Sequence, residues 1–144
     1  ALAGRQAVVG PARPWTAAAA SVHRARAARS LLPPGDDEAL DTEAHLATLL
    51  VRSDPAALAD LRERVLEPLS GLRPGARARL EQTLRSWLLH QGRRDDVAAD
   101  LIVHPQTVRY RMTQLRELYG DRLRDPATVL ELVIALGAAE PAGG

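Results

Sequence analysis

The sequence feature that most constrains the fold is a pair of helical segments between residues 95 and 119. The second segment, residues 105–119, carries an apolar residue at every third or fourth position: Val108, Met112, Leu115 and Tyr119. That spacing aligns these side chains on one side of an α-helix, with Leu118 beside them, and leaves the other sides polar. Gly120 is predicted to end the helix, because glycine readily adopts the left-handed conformation found just after helix ends.

The first segment of the pair is shorter. Asp95 or Asp96 is predicted to cap a helix that runs through Leu101. Ala98 and Ala99 are small, which allows a close crossing with the following helix. A short helix, a tight turn and a longer helix are the layout of a helix-turn-helix unit.

Composition predicts a mainly α-helical chain of 144 residues. Apolar residues make up 46% of the chain, which is enough for a core, but Phe is absent and aromatic residues reach only 3%. The core must therefore be built from Leu, Val and Ala, of which Leu and Ala favour helices. Cysteine is absent, which excludes disulfides, thiolate nucleophiles and cysteine-ligated zinc and fits a cytoplasmic location. No apolar run approaches the roughly 18 residues of a membrane span.

The N-terminal part of the chain predicts a partial α+β remnant. Residues 6–9 are a strand candidate and residues 15–31 a helix, and these two elements alone bury little surface. The stretch 33–38 (PPGDDE) breaks the chain before a short helix at 42–51. We therefore expect residues 1–52 to be the C-terminal part of an α+β domain whose other strands lie outside this chain.

Helix-start signals organise the remainder. At Asp54-Pro55 the acid suits the cap and the proline the first helical position, so residues 53–73 are expected to be a connecting helix. A helical domain is expected to span residues 74–140, beginning with a helix at 74–90. A loop is expected at 121–125, after which Asp125 and Pro126 repeat the start signal. The last helix is expected to pack through four apolar residues: Leu130, Val133, Ile134 and Leu136.

The outward face of the helix at 105–119 carries side chains that suit DNA: Gln106, Thr107, Arg109, Tyr110, Thr113, Gln114 and Arg116. Glutamine pairs with adenine through both ends of its amide, and arginine takes O6 and N7 of guanine together. Hydroxyl groups bind phosphate oxygens, and the unpaired N–H groups at a helix start favour a phosphate near His104. Between residues 74 and 120, eight arginines against five acidic residues give a formal charge of +3, although the whole chain carries only +1.

Each of these side chains also has a purely structural interpretation. Gln106 and Arg109 are residue types common on any solvated helix surface. Tyr110 would be half-buried if it served packing, and His104 at the helix start is also a natural cap. The combination of an outward polar face with the predicted turn favours a role in binding DNA.

Three arginines near this face each have two possible roles, one in binding DNA and one that is purely structural. Arg111 lies nearer the apolar side, so it either contacts DNA or pairs with Asp100 or Glu117. Arg93 and Arg94 precede the first helix of the pair, and they either hold a backbone phosphate or lie in a solvated turn.

No metal or cofactor is expected. His23, His45 and His90 are scattered, and none shares a helix face with another at ligand spacing. The acidic residues within 33–38 suit a solvated linker, no glycine-rich phosphate loop occurs, and no serine lies in a nucleophile motif.

Three stretches carry a family resemblance: LEQTLRSWLLHQG (80–92), VAADLIVHPQTVRYRMTQLRELYG (97–120) and RDPATVLELVIALGA (124–138). Over residues 72–138 the chain resembles the C-terminal helix-turn-helix domain of PucR-like transcriptional regulators, which include purine-catabolism and sugar-diacid regulators. Residues 1–70 are similar to the end of the GGDEF-like domain that precedes this module in many such regulators. The family commonly has Asn or Arg near Gln106, so a base preference does not transfer.

The resemblance implies a bacterial regulator that binds double-stranded promoter DNA through Thr107, Arg109, Tyr110 and their neighbours. It also implies a small-molecule effector sensed by an upstream domain outside this chain. One helix-turn-helix covers one half-site, so a homodimer or higher homo-oligomer is expected, with its recognition helices about 34–36 Å apart. The helix at 55–69 and the last helix are both candidates for the dimer surface.

Two other functions compete with DNA binding. Three-helix units of this kind also serve as protein-interaction or dimerisation modules. A degenerate nucleotide-signalling enzyme is suggested only by the GGDEF-like resemblance, and residues 1–70 contain neither the GGDEF-type loop nor a metal-binding pair of carboxylates. The sequence therefore predicts a protein that is not an enzyme.

Overall fold

The computed structural model describes residues 7–29 and 40–137, and the predicted linker at 33–38 lies outside them. The chain divides into two compact units, residues 1–54 and residues 55–144. The described residues contain seven α-helices and two strands of two residues each, so the mainly α-helical class is confirmed.

The first unit is a small β-α-β arrangement. Strand β1 (Val8–Val9) pairs in parallel with β2 (Leu40–Asp41), and helix α1 (Ala18–Ala28) lies between them in the chain. A 3₁₀ turn at Trp15–Ala17 precedes α1, and another at Thr42–His45 leads into α2 (Leu46–Val51). The pairing of two parallel strands agrees with the α+β character expected here, but the sequence analysis did not identify β2.

Polar contacts hold the first unit together. The buried Thr42 hydroxyl donates to the Val9 carbonyl at 2.9 Å, which ties the end of β2 to β1. Arg24 is half-buried and pairs with Glu43 at 2.5 Å. Val22 is 51% exposed, whereas Ala28 at the end of α1 is fully buried.

The described part of the second unit consists of helices joined by turns and contains no strand. Helix α3 (Pro55–Leu66) continues into a 3₁₀ turn at Glu67–Leu69, and α4 (Pro74–Leu89) follows. Next come α5 (Arg94–Asp100), α6 (Pro105–Tyr119), a 3₁₀ segment at Gly120–Arg124 and α7 (Pro126–Gly137). The predicted bounds of α6 are confirmed, whereas the loop predicted at 121–125 is mostly 3₁₀ helix.

One apolar core joins the helices of the second unit. Helix α7 packs against α3 and α4, and α4 also packs against α5 and α6. The most deeply buried large side chains come from all five helices and the turn after α3: Val65, Leu66, Leu69, Leu84, Val97, Val108, Leu115, Leu132 and Leu136. The predicted apolar face of α6 is confirmed, because its four residues are all at most 3% exposed.

The predicted apolar stripe of α7 is wrong in part. Leu136 is buried as expected, but Leu130 is 60% exposed, and Val133 and Ile134 are only half-buried. Leu132 and Ala135 are buried instead. Because α7 is apolar almost all around, its sequence pattern does not show which side faces the core.

Arginines from two other helices close the C-terminal end of α7. Arg62 of α3 donates to the Ala135 carbonyl at 3.2 Å, and Arg85 of α4 donates to the Leu136 carbonyl at 3.1 Å. The last carbonyls of a helix have no partner within the helix and carry partial negative charge, so cationic donors stabilise them.

Candidate nucleic-acid interface

The turn between α5 and α6 is fixed by backbone hydrogen bonds. The Ile102 N–H donates to the Ala99 carbonyl at 3.2 Å, and the Val103 N–H donates to the Ala98 carbonyl at 2.9 Å. This is the Schellman pattern of helix ends. Ile102 occupies its left-handed position with φ of 52°, where glycine is usual. The chain therefore reverses sharply, and α6 begins at Pro105.

Small and aliphatic side chains fill this joint. Val97 is fully buried and Ala98 is 5% exposed, as the close crossing of the two helices requires. Leu101 and Val103 are half-buried and pack against the core. Ala99, the other small residue of the pair, faces solvent.

The prediction that Asp95 or Asp96 caps α5 is wrong. The helix begins at Arg94, and Arg93 occupies the N-cap position. Both carboxylates lie in the first turn, where the helix dipole stabilises negative charge. Asp96 pairs with Arg93 at 2.7 Å, and Asp95 lies 3.5 Å from the Nε of Arg94. Both arginines are exposed, and their contact with DNA phosphates remains a prediction.

A polar link that the sequence analysis missed anchors α5 to α4. The Ser86 hydroxyl, 1% exposed, donates to the Asp100 carboxylate at 2.5 Å, and Nε2 of His90 lies 3.6 Å from the same oxygen. The turn between the helices passes through Gly92 at φ of 76°, where a Cβ would lie 3.2 Å from the ring of Trp87. Trp87 is half-buried at the edge of the core.

The start of α6 is capped by the residue that the sequence placed there. Nδ1 of His104 accepts a hydrogen bond from the Gln106 N–H at 3.2 Å, and the His104 carbonyl accepts from the Thr107 N–H at 2.8 Å. Pro105 has no N–H to leave unpaired at the first helical position. Because Nδ1 is the acceptor, the proton of the neutral ring lies on Nε2. His104 is exposed, so this N–H can donate to an incoming phosphate while the cap is maintained.

Most of the predicted outward face of α6 is exposed. Five of its predicted DNA contacts are exposed: Gln106, Arg109, Tyr110, Thr113 and Arg116. Tyr110 is 64% exposed, so the interpretation of this residue as a packing side chain is wrong. The Thr113 hydroxyl donates to the Arg109 carbonyl one turn earlier at 3.1 Å. Arg116 stacks over Trp87, with its guanidinium carbon 5.6 Å from the ring centroid, which orients this arginine at the far end of the face.

Three other predicted contacts are half-buried along the flank of α6 that faces α4: Thr107, Arg111 and Gln114. Gln114 donates to the Tyr110 hydroxyl at 3.2 Å. Arg111 donates to the hydroxyl of Thr83 on α4 at 3.3 Å, rather than pairing with Asp100 or Glu117 as the alternative interpretation had it. The sequence analysis missed Thr83, which is fully buried beside the apolar stripe of α4.

One comparison with known proteins bears directly on the helix-turn-helix segment. Residues 80–138 match the family model of the PucR C-terminal helix-turn-helix domain. These residues are a PucR-type helix-turn-helix domain. They comprise most of α4 together with α5, α6 and α7, so the PucR-type domain contains both the exposed face of α6 and the buried residues that support it. Helix-turn-helix domains are DNA-binding units.

A longer relative matches more of the chain. A protein of Thermomonospora curvata, described as an uncharacterized protein in the pkwA 5′ region, is 37% identical over 108 residues. The match covers 75% of this chain and 54% of the relative, so the chain spans about half the length of the curated relative it matches. No solved structure gives a significant match.

Two further properties apply to the residues that the structure describes. None of their helices is both long enough and apolar enough to cross a membrane. No group of three or more His, Asp or Glu side chains among them is arranged to hold a metal ion.

Proposed function

We propose that this chain is part of a sequence-specific, DNA-binding transcriptional regulator that places α6 in the major groove of promoter DNA. The observation that carries the proposal is the exposure of Gln106, Arg109 and Thr113 on one face of a helix whose opposite face is buried. A 15-residue helix is about 22 Å long, and an α-helix fits the roughly 12 Å width of the major groove. The match of this segment to a PucR-type domain supports the same function.

The residues of α6 take different roles in this proposal. Gln106 and Arg109 lie in the first two turns, where recognition helices approach base edges, and both residue types bind bases through two hydrogen bonds. His104 binds a phosphate through the N–H of its Nε2, at the positive end of the α6 dipole. Arg116, held over Trp87, lies about three turns further along and contacts the backbone rather than a base.

Dimerisation and regulation are further parts of the proposal. One α6 reads one half-site, so we expect a homodimer with its two recognition helices about 34–36 Å apart. The first unit, residues 1–54, is proposed to be the end of a GGDEF-like domain, for which its parallel β-α-β arrangement is compatible evidence. The small-molecule effector is then sensed by a domain outside this chain, and the regulator acts on promoters in the bacterial cytoplasm.

A binding titration tests the proposal. DNA selected from a randomised pool and an unrelated duplex are each titrated with the wild-type chain and with Arg109→Ala. We expect the variant to lose about 1–3 kcal/mol of binding free energy on the selected DNA and much less on the unrelated one. Arg26→Ala, which removes the same charge from an exposed position on α1, is the matched control and should bind as the wild type does.

Other outcomes of this titration correspond to the competing functions. A protein-interaction module would select no DNA sequence and would show no difference between the two duplexes. Turnover of a nucleoside triphosphate by the wild-type chain would indicate a signalling enzyme. Either result would contradict the proposed function.

A further inference from the structure

A groove runs between the N-terminal half of α4 and the flank of α6. It has a volume of about 360 Å³, and we call it the α4–α6 groove. Its apolar wall is formed by Leu72, Ala76 and Leu80, and its polar lining consists of five side chains: Arg79, Thr107, Tyr110, Arg111 and Gln114. Two of these side chains are cationic and none is acidic, so the lining favours an anion.

A second groove on the same domain differs from the α4–α6 groove in the charge of its lining. It has a volume of about 500 Å³ and is lined by Arg116 and Arg124 together with Asp121. The Asp121 carboxylate lies 3.9 Å from Arg124 and offsets part of its charge. The α4–α6 groove contains no such carboxylate in its lining, which distinguishes it from an ordinary solvated surface where both signs of charge alternate.

A buried hydroxyl orients one of the two arginines in the groove. The Thr83 hydroxyl donates to the Arg79 carbonyl at 2.8 Å and accepts a hydrogen bond from Nη1 of Arg111 at 3.3 Å. Thr83 is fully buried, so this hydroxyl has a fixed position. A guanidinium has five N–H donors, and the bond to Thr83 occupies one of them. Arg111 is thus held at the lining of the groove with most of its donors available to a ligand.

The second arginine, Arg79, comes from α4 and is exposed. Tyr110 and Gln114 lie on the α6 side of the groove and are joined by a hydrogen bond of 3.2 Å. Hydroxyl, amide and guanidinium groups from two helices therefore converge on one concave surface. All of these groups can donate hydrogen bonds, which is the property that binding a phosphate oxygen requires.

The position of the groove identifies the source of the anion. Thr107, Tyr110 and Arg111 line it from the same turns of α6 that present Gln106 and Arg109. When a helix lies in the major groove of DNA, its central face meets the base edges and its flanks meet the sugar–phosphate strands on either side.

We propose that the α4–α6 groove binds a phosphodiester of the DNA backbone, with Arg79 and Arg111 as its two cationic contacts. This inference rests on the proposed function, and it adds a residue of α4 to the interface. It also assigns Arg111 to the backbone rather than to a base. Thr83 acts as a positioning residue, because it touches Arg111 and lies buried behind it.

Salt-dependent titration of the full chain tests the role of Arg79. Arg79→Ala and the wild type are titrated with the selected and the unrelated duplex at several salt concentrations. We expect the variant to lose about fivefold to tenfold in affinity at 0.1 M salt on both duplexes, and its logarithmic salt slope to fall by about 1. Arg122→Ala, in the 3₁₀ segment beyond the C-terminal end of α6, removes the same charge outside the groove and should leave the slope unchanged.

Three results would overturn the inference about Arg79. An unchanged salt slope would show that Arg79 makes no phosphate contact. A loss confined to the selected duplex would assign Arg79 to base recognition. Failure of the wild-type chain to bind DNA would refute the proposed function itself. The wild-type titration alone separates this result from a failure that concerns only Arg79.

Two variants at one position test the role of Thr83. Thr83→Val preserves the shape of the side chain and removes the hydroxyl, and Thr83→Ser keeps the hydroxyl. We expect the valine variant to lose affinity equally for both duplexes and the serine variant to bind close to the wild type, after thermal unfolding has verified that both are folded. Wild-type binding by Thr83→Val, or equal losses in both variants, would overturn the positioning role.

Discussion

At the scale of single residues, Tyr119 links α6 to the rest of the second unit. Its hydroxyl donates to the carbonyl of Val65 at 2.8 Å. Val65 lies in the last turn of α3, where the helix itself provides no donor for the carbonyl groups. Burial raises the pKa of Tyr119 to about 12, because a phenolate in the apolar core would lose its hydration.

Removal of this hydroxyl should destabilise the domain. Tyr119→Phe leaves the Val65 carbonyl without its partner in the core, so we expect the free energy of unfolding at pH 7 to fall by about 1–2 kcal/mol. Urea unfolding followed by circular dichroism measures the change. Tyr110→Phe removes the same group from an exposed side chain and should change the free energy by less than about 0.5 kcal/mol.

The same contact predicts a dependence on alkaline pH. The folded state holds the proton of Tyr119 to about pH 12, whereas in the unfolded chain a tyrosine loses it near pH 10. The stability from this group is therefore fully present below about pH 10 and is lost as the pH rises towards 12. Between pH 10 and pH 12 the free energy of unfolding should fall further for the wild type than for Tyr119→Phe. Equal losses in the two proteins would contradict the claim that buried Tyr119 causes the pH dependence.

Some residue roles were predictable from the sequence and others were not. His104 was identified as a cap because a helix start needs an acceptor at that position, and α6 begins immediately after it. Thr83 and Ser86 were not identified, because a buried hydroxyl on an apolar stripe resembles any polar residue on a helix. The partners of these hydroxyls lie on other helices, and helical spacing alone says nothing about such contacts.

At the scale of elements, the helix-turn-helix joint combines predictable and unpredictable features. The bounds of α6 follow from Pro105 at its start, Gly120 at its end and a clear apolar period between them. The predicted start of α5 was wrong, because acidic residues are favourable in the first turn of a helix as well as at its N-cap. The predicted buried side of α7 was also wrong. Most positions of this helix are apolar, so the sequence pattern does not show which side faces the core.

The left-handed residue of the joint gives a test at this scale. Ile102 is β-branched, has φ of 52° and is 91% exposed, so it contributes backbone strain and little burial. Ile102→Gly removes a left-handed penalty of about 1–2 kcal/mol and adds the entropic cost of glycine, about 0.5–1 kcal/mol. We expect a net stabilisation of about 0.5–1 kcal/mol in thermal or urea unfolding.

A matched substitution in the other turn should have the opposite sign. Gly92→Ala introduces a Cβ at φ of 76° and places it 3.2 Å from the ring of Trp87. We expect this variant to be less stable than the wild type. A destabilising Ile102→Gly variant would show that the isoleucine makes contacts that outweigh its strain.

At the scale of the whole molecule, the chain consists of a small α+β unit and a helical unit that begins at Pro55. The mainly α-helical class was predictable from the abundance of Ala and Leu. Strand β2 has only two residues and depends on a distant partner, so the local sequence did not reveal it. Helix α3 was expected to be a connection, and it packs against α7 within the helical unit.

The division into two units predicts that the second is autonomous. A chain of residues 55–144 contains the whole core of the helical unit and the complete face of α6. We expect it to unfold in one cooperative transition and to select the same DNA sequence as the full chain, with weaker affinity if dimer contacts lie elsewhere. A chain of residues 74–144 lacks α3 and the core residues Val65, Leu66 and Leu69, so it should be markedly less stable.

Methylation interference tests the central claim most directly, because N7 of guanine lies in the major groove. Selected DNA is methylated sparsely at guanine N7, and the bound and free fractions are compared base by base. If α6 reads the major groove, methylation at discrete guanines will prevent binding by the wild type, and Arg109→Ala will lose its sensitivity at one of them. If methylation of each guanine had the same effect on binding, the claim that this helix recognises DNA sequence would be contradicted.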